Sequence, residues 1–162
     1  MSKGKIITAV CCLAILALMM FINNPTAKTL DQFIIYYNRE IENTTSGRNV
    51  FVSDCLLNEY GGNRQELFNG NVAFMGQDNK EYLSLGFAFD ESVSSDVIFS
   101  IIDAAILASG EDCDNVAKSL GILSGNKYSI RGGDEKKTTF NGKNYSVHWV
   151  DEGIFFVIEM KK

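Results

Sequence analysis

His148 is the sole histidine of a 162-residue chain, and an imidazole set beside a thiol is the simplest nucleophile these side chains could build. Cys55 and Cys113 are the thiols that could stand opposite it. Both are better accounted for as partners of each other, and a half-exposed strand position is the plainer reading of His148. On that strand it points with Ser146 and Val150, away from Tyr145, Val147 and Trp149. Glu111, Asp112, Asp114 and Asn115 crowd oxygen-bearing side chains together as a calcium ligand set would. A calcium loop, however, carries its ligands past a central glycine to a distal glutamate. Here Val116 and Ala117 begin an apolar helical face, so the carboxylates are expected to serve a helix N-terminus instead. Asp151, Glu152 and Glu159 are acids of the kind that cleave glycosidic bonds in pairs, but two of them fall in a tight turn and imply no cleft. Neither Gly61-Gly62 nor Gly132-Gly133 leads from a strand into a helix as a phosphate loop must. Asn43-Thr44-Thr45 and Asn144-Tyr145-Ser146 match the glycosylation acceptor pattern, which is short enough to recur by chance. The chain is therefore read as a non-enzyme without catalytic residue, metal or cofactor.

The elements that must position these groups follow a different kind of segment. Met1-Ser2-Lys3-Gly4-Lys5 is a basic start, and residues 6–22 are then seventeen positions without a charge. Lysines that stay behind while an apolar run enters the bilayer are the pattern of export. Residues 1–27 are expected to be a signal peptide or signal anchor, and 28–162 a single domain, periplasmic or extracellular. Ala27 is a suitable small residue before a cut, but Pro25 stands where a second small residue is wanted. Removal of the segment and its retention as a membrane tether through residues 6–22 both stay open. Cys11 and Cys12 lie inside the apolar run rather than at its end, and so count as small hydrophobes rather than lipidation sites.

Fifteen basic and twenty acidic side chains give the chain a net charge of −5; without Lys3 and Lys5 the domain carries −7. That balance argues against nucleic acid or an anionic lipid surface as partner and is compatible with a basic protein. In an oxidising compartment Cys55 and Cys113 are expected to form a disulfide. Closing the loop between them would contribute roughly 4 kcal/mol by restricting the unfolded chain. Two separate buried thiols are the alternative.

Along the domain, Thr29-Leu30-Asp31-Gln32 has the form of a capping box, and Leu30, Phe33, Ile34, Tyr37 and Ile41 recur at helical spacing. A helix is expected over 30–42, a short strand over 50–53, and a polar loop over 58–66. Phe68, Val72 and Phe74 should share one face of a strand that turns at 77–80 into a second. In that second strand, Leu83, Leu85, Phe87 and Phe89 alternate with the smaller Ser84, Gly86 and Ala88. The large face must meet a core layer, and the small face leaves room for a close neighbour. Residues 97–108 are apolar nearly all round, as a core helix is, and a second short helix over 113–120 stops at Gly121. Strands follow at 128–131 and 137–140, an exposed tip at 132–136, and Asn141-Gly142 is a strong hairpin signal. Residues 143–150 and 154–161 complete the series, the last strand apolar on both faces and hence interior. The expected fold is α+β: an antiparallel sheet of about six strands in two meanders, covered on one face by two or three helices and preceded by an apolar targeting helix.

Phe33-Ile34-Ile35-Tyr36-Tyr37-Asn38, the strand over 82–89, the helix over 97–108 and Lys118-Ser119-Leu120-Gly121 together give the chain an outline that resembles small exported bacterial proteins of uncharacterised function, which join a signal segment to one α+β domain. The resemblance implies a fold and a compartment and carries no activity with it. The leading expectation is a non-enzymatic envelope or extracellular protein that binds another protein, of inhibitor or immunity type. A small-ligand or lipid-binding protein with a pocket between helices and sheet is the alternative, and an exported enzyme a third. Loops on a rigid scaffold are favoured contact sites, so Asn58, Glu59, Tyr60 and Arg64, and at the other tip Asp134, Glu135 and Lys136, are the candidate binding residues.

Overall fold

A computed structural model of the chain describes residues 26–44, 47–53, 56–57, 61–124, 127–128, 135–150 and 153–162. The expected targeting segment lies outside them up to residue 25. Helix α1 (Leu30–Ile41) begins where the Thr29 hydroxyl accepts the Gln32 amide at 3.2 Å, while the Gln32 side chain accepts the Lys28 amide at 3.0 Å. The reciprocal cap expected from the sequence thus closes one residue further out. Its buried residues, Leu30, Phe33, Tyr37 and Ile41, form one stripe. Helix α2 (Ser95–Ala108) buries Ile98, Ile101, Ile102, Ala104, Ala105 and Ile106, and α3 (Cys113–Leu120) buries Val116, Ala117 and Leu120. Gly121 ends α3 in the left-handed conformation at φ 69°, as a glycine in this position does readily. Among the described residues no helix is long and apolar enough to cross a membrane.

Nine strands are described: β1 (Leu56–Leu57), β2 (Asn63–Leu67), β3 (Val72–Asp78), β4 (Tyr82–Asp90), β5 (Leu123–Ser124), β6 (Lys127–Tyr128), β7 (Lys136–Phe140), β8 (Lys143–Val150) and β9 (Gly153–Lys161). Seven make one antiparallel sheet in the order β1-β2-β3-β4-β9-β8-β7, and β5 with β6 forms a separate small ladder. The fold is α+β. Two meanders are present, built partly from other strands than expected, and β9 joins them by pairing with β4 on one side and β8 on the other. Asn141 and Gly142 turn β7 into β8 with φ of 48° and 76°, the left-handed pair a tight hairpin requires.

The sheet's inner face meets the helices. Val72 and Phe74 on β3, Leu83, Leu85, Phe87 and Phe89 on β4, and Ile154, Phe156, Ile158 and Met160 on β9 are all buried. Phe33 stacks on Phe74 with ring centroids 6.3 Å apart, and Tyr37 meets Phe87 at 5.2 Å. Each such ring contributes about 1.5–3 kcal/mol by leaving water, which fixes α1 over β3 and β4.

Four expected elements differ. Of the strand expected over 128–131, the described residue Tyr128 belongs to β6 in the separate ladder, and Lys136, expected in the exposed tip, opens β7. Residues 50–53 are not a strand: a 3-10 turn over Gly47–Val50 leads into extended chain held by side chains. The Tyr37 hydroxyl donates to the Val50 carbonyl at 3.0 Å, and Asn38 both donates to the Val52 carbonyl and accepts its amide, at 2.8 and 2.9 Å. Those bonds satisfy the backbone in place of a ladder. The expected 58–66 loop gives way at Asn63 to β2. Phe68 is in a left-handed turn rather than on the strand, with φ 51° followed by 58° at Asn69 and 88° at Gly70.

Candidate binding surface

Among the described residues no helix covers the sheet's outer face, so its side chains form one continuous surface. Register assigns them in rows. One runs from Arg64 on β2 through Met75, Gly86 and Val157 to Ser146 and Lys137. The next runs from Gln77 through Ser84 and Glu159 to Asn144 and Thr139. On the other side lie Glu66, Ala73, Ala88, Phe155 and His148. Solvated sheet faces ordinarily alternate to polar residues. Here the outward positions of the three central strands include Ala73, Met75, Gly86, Ala88, Phe155 and Val157, a small and apolar floor.

Two open depressions adjoin on this face. One, of about 220 Å³, lies over Gly86 and is lined also by Gly62, Met75, Gly76, Gln77, Ser84 and Val157. The other, of about 350 Å³, is lined by Glu81, Tyr82, Gly142, Asn144, Glu159, Met160 and Lys161. The Tyr82 hydroxyl donates to Gln77 Oε1 at 3.3 Å, and the Thr139 hydroxyl donates to Asn144 Oδ1 at 2.9 Å, so the polar groups of the rim are partly ordered already. The room anticipated beside the small face of β4 therefore exists, but it opens to solvent instead of lying between helices and sheet.

Of the loop residues expected to bind, Arg64, Glu135 and Lys136 are described, and Arg64 lies far from the other two. Arg64 lies on β2, on the outer face, with Nη2 3.5 Å from Glu66 Oε1. Lys136 lies on β7 opposite Val147, on the inner-face register, and its Nζ donates to the Gly121 carbonyl at 3.2 Å. Five strand spacings separate β2 from β7, about 24 Å. Glu135 pairs with Lys137 at 2.8 Å. Asn58, Glu59, Tyr60 and Asp134 lie outside the described residues.

His148 is exposed on the outer face, whereas Cys113 opens α3 on the helix side, so the sheet stands between them. Cys113 carries a free, half-buried thiol. Burial, then the nearby charges of Asp103, Asp114 and Asp112, push that thiol up to about 11, where little thiolate exists at neutral pH. Cys55, its expected disulfide partner, lies outside the described residues; Leu56, the next residue, begins the edge strand at the end of the sheet remote from β7 and β8.

The acidic cluster at the start of α3 resolves into structural tasks. Asp112 caps the helix by accepting the Asn115 amide at 2.9 Å. Glu111 is buried and accepts from Lys143 Nζ and, at 2.8 Å, from the Asn141 amide. Beside it, the Ser109 hydroxyl gives its one proton to the Ile106 carbonyl at 2.6 Å, so the Tyr145 hydroxyl, 2.8 Å away, must be the donor to Ser109. This network ties the α2–α3 turn to the β7–β8 hairpin. Among the described residues no three acids, histidines or cysteines group as a metal site.

Glu159, considered from the sequence only as one of a set of acids and set aside there, is the surface residue whose position matters here. Its carboxylate has no hydrogen bond or ion pair among the described residues, although it lies in the middle of the outer face between Ser84 and Asn144. The signal available was its outward phase on the last strand. No protein-family model matches the chain, and neither a curated protein nor a solved structure matches it.

Proposed function

We propose that the chain is an exported, non-enzymatic binding module that receives another protein on the uncovered face of its sheet, in the manner of an inhibitor or immunity-type partner. The observation carrying this reading is the small, apolar floor centred on Gly86, at outward positions where a face meant only for water would be polar. Burying that floor against a partner removes apolar surface from water and positions the polar rim for hydrogen bonds.

The targeting segment is best read as a retained tether. Ala27 is buried with the core, and Thr26 lies so close to Gly110 that a Cβ there would stand 2.5 Å from its hydroxyl. A cut after Ala27 would remove both packed residues. Intact mass of the chain recovered from its own cells separates the tethered from the processed form.

The test uses the full-length chain with a photo-crosslinking residue at Ala88 or, as control, at Asp31 on the outer side of α1. Adducts to a protein partner are expected from Ala88 and not from Asp31, and Gly86→Leu should reduce them about tenfold by filling the floor. Adducts confined to the helix side would sink the proposal.

A further inference from the structure

We infer that the partner seats a basic side chain, arginine or lysine, over Glu159. This rests on the outer face being the docking surface, and it states what that face recognises. Two charge pairs of the face are already made: Arg64 with Glu66 and, at the far edge, Lys137 with Glu135. In the middle rows Glu159 has no partner among the described residues and is flanked in register by the neutral Ser84 and Asn144.

Its surroundings suit a long cationic side chain. Glu159 lines the depression of about 350 Å³ together with Glu81, a second carboxylate, and the ring of Tyr82. An arginine entering there could donate a charge-assisted hydrogen bond to the carboxylate while its plane lies on the aromatic ring. Its methylene stem would cross toward the apolar floor at Gly86 and Val157, because the rows of Glu159 and Val157 are adjacent. Lys161 on the same rim admits one cation and repels a cluster, so a single basic anchor fits better than a polybasic strip. Beyond the face, the −7 balance of the chain after residue 27 attracts a basic partner at long range.

Random peptides displayed on phage and selected on the full-length chain in detergent test the inference. Enriched peptides are expected to hold Arg or Lys at one fixed position and to lose binding to Gly86→Leu. They should bind Glu159→Gln about tenfold more weakly, the scale of one charge-assisted contact. Synthetic peptides with citrulline at that position should show the same loss, and Glu159→Gln should then make no further difference. Peptides that lack a basic residue, or bind Glu159→Gln unchanged while still failing on Gly86→Leu, overturn the inference and leave the docking face standing. Peptides that bind Gly86→Leu as well as the native chain, or no enrichment at all, count against both.

Discussion

Gly86 and Gly153 sit on paired strands and meet opposite surroundings. A Cβ at Gly153 would fall 2.0 Å from the Phe89 carbonyl oxygen, a backbone atom that cannot turn aside. At Gly86 the nearest atoms are the flexible Met75 Cε at 3.6 Å and the Phe156 carbonyl oxygen at 3.7 Å, which is ordinary contact. Gly153→Ala should therefore cost about 2–3 kcal/mol through displaced backbone, and Gly86→Ala should stay within about 0.5 kcal/mol, both from urea midpoints. Equal losses would contradict the described packing. In the sequence Gly153 is visible only as the end of a turn, since its requirement comes from a strand more than sixty residues earlier. Gly86 was legible as part of a small face, but which side of the sheet that face took depended on where the helices packed.

At the scale of elements, local signals were reliable where they were strong. The alternation on β4, the Asn141-Gly142 turn and the apolar α2 all appear as expected. β2 did not announce itself, because Asn63, Arg64, Gln65 and Glu66 lie near the edge of the sheet, where neither face is fully buried and no alternation is demanded. Residues 50–53 misled for the converse reason: Val50 and Val52 are buried and strand-like in type, but Tyr37 and Asn38 supply their backbone bonds. Another long-range tie sits at the start of α1, where Asp78 accepts the Leu30 amide at 2.9 Å and also pairs with Lys162. Burial pushes this carboxyl up, but the Lys162 and Leu30 hydrogen bonds and the Lys162 charge outweigh it and hold it below the usual carboxylate range. A depressed folded value means the clasp stabilises above the ordinary aspartate range and is lost as pH falls through the folded value. Asp78→Asn should lower the urea midpoint at pH 7, with the gap to the native chain narrowing below about pH 4. A gap that is constant with pH would remove the charge from the account.

For the whole molecule, the class and the two meanders were readable because each meander is built from neighbours in sequence. Their junction was readable only halfway. The apolar character of Ile154, Phe155, Phe156, Val157 and Ile158 marked an interior strand, but nothing local could say that its second neighbour would be β4. That pairing sets Tyr82 against Lys161 and Asp90 against Gly153, and it makes the last strand the seam of the sheet. Deleting residues 153–162 should leave a chain without cooperative unfolding by circular dichroism; a sharp transition in the shortened chain would show that the halves stand alone.

The seam also imposes an order in time. Translation runs from the N-terminal side, so the strand that closes the sheet is made after both of the strands it joins. Until it emerges, β4 and β8 each present an open edge, and contacts that span so much sequence form slowly. The folded state thus becomes available only once β9 has been made. The length of that unfolded interval is set by the position of β9, not by any local signal in the halves it joins.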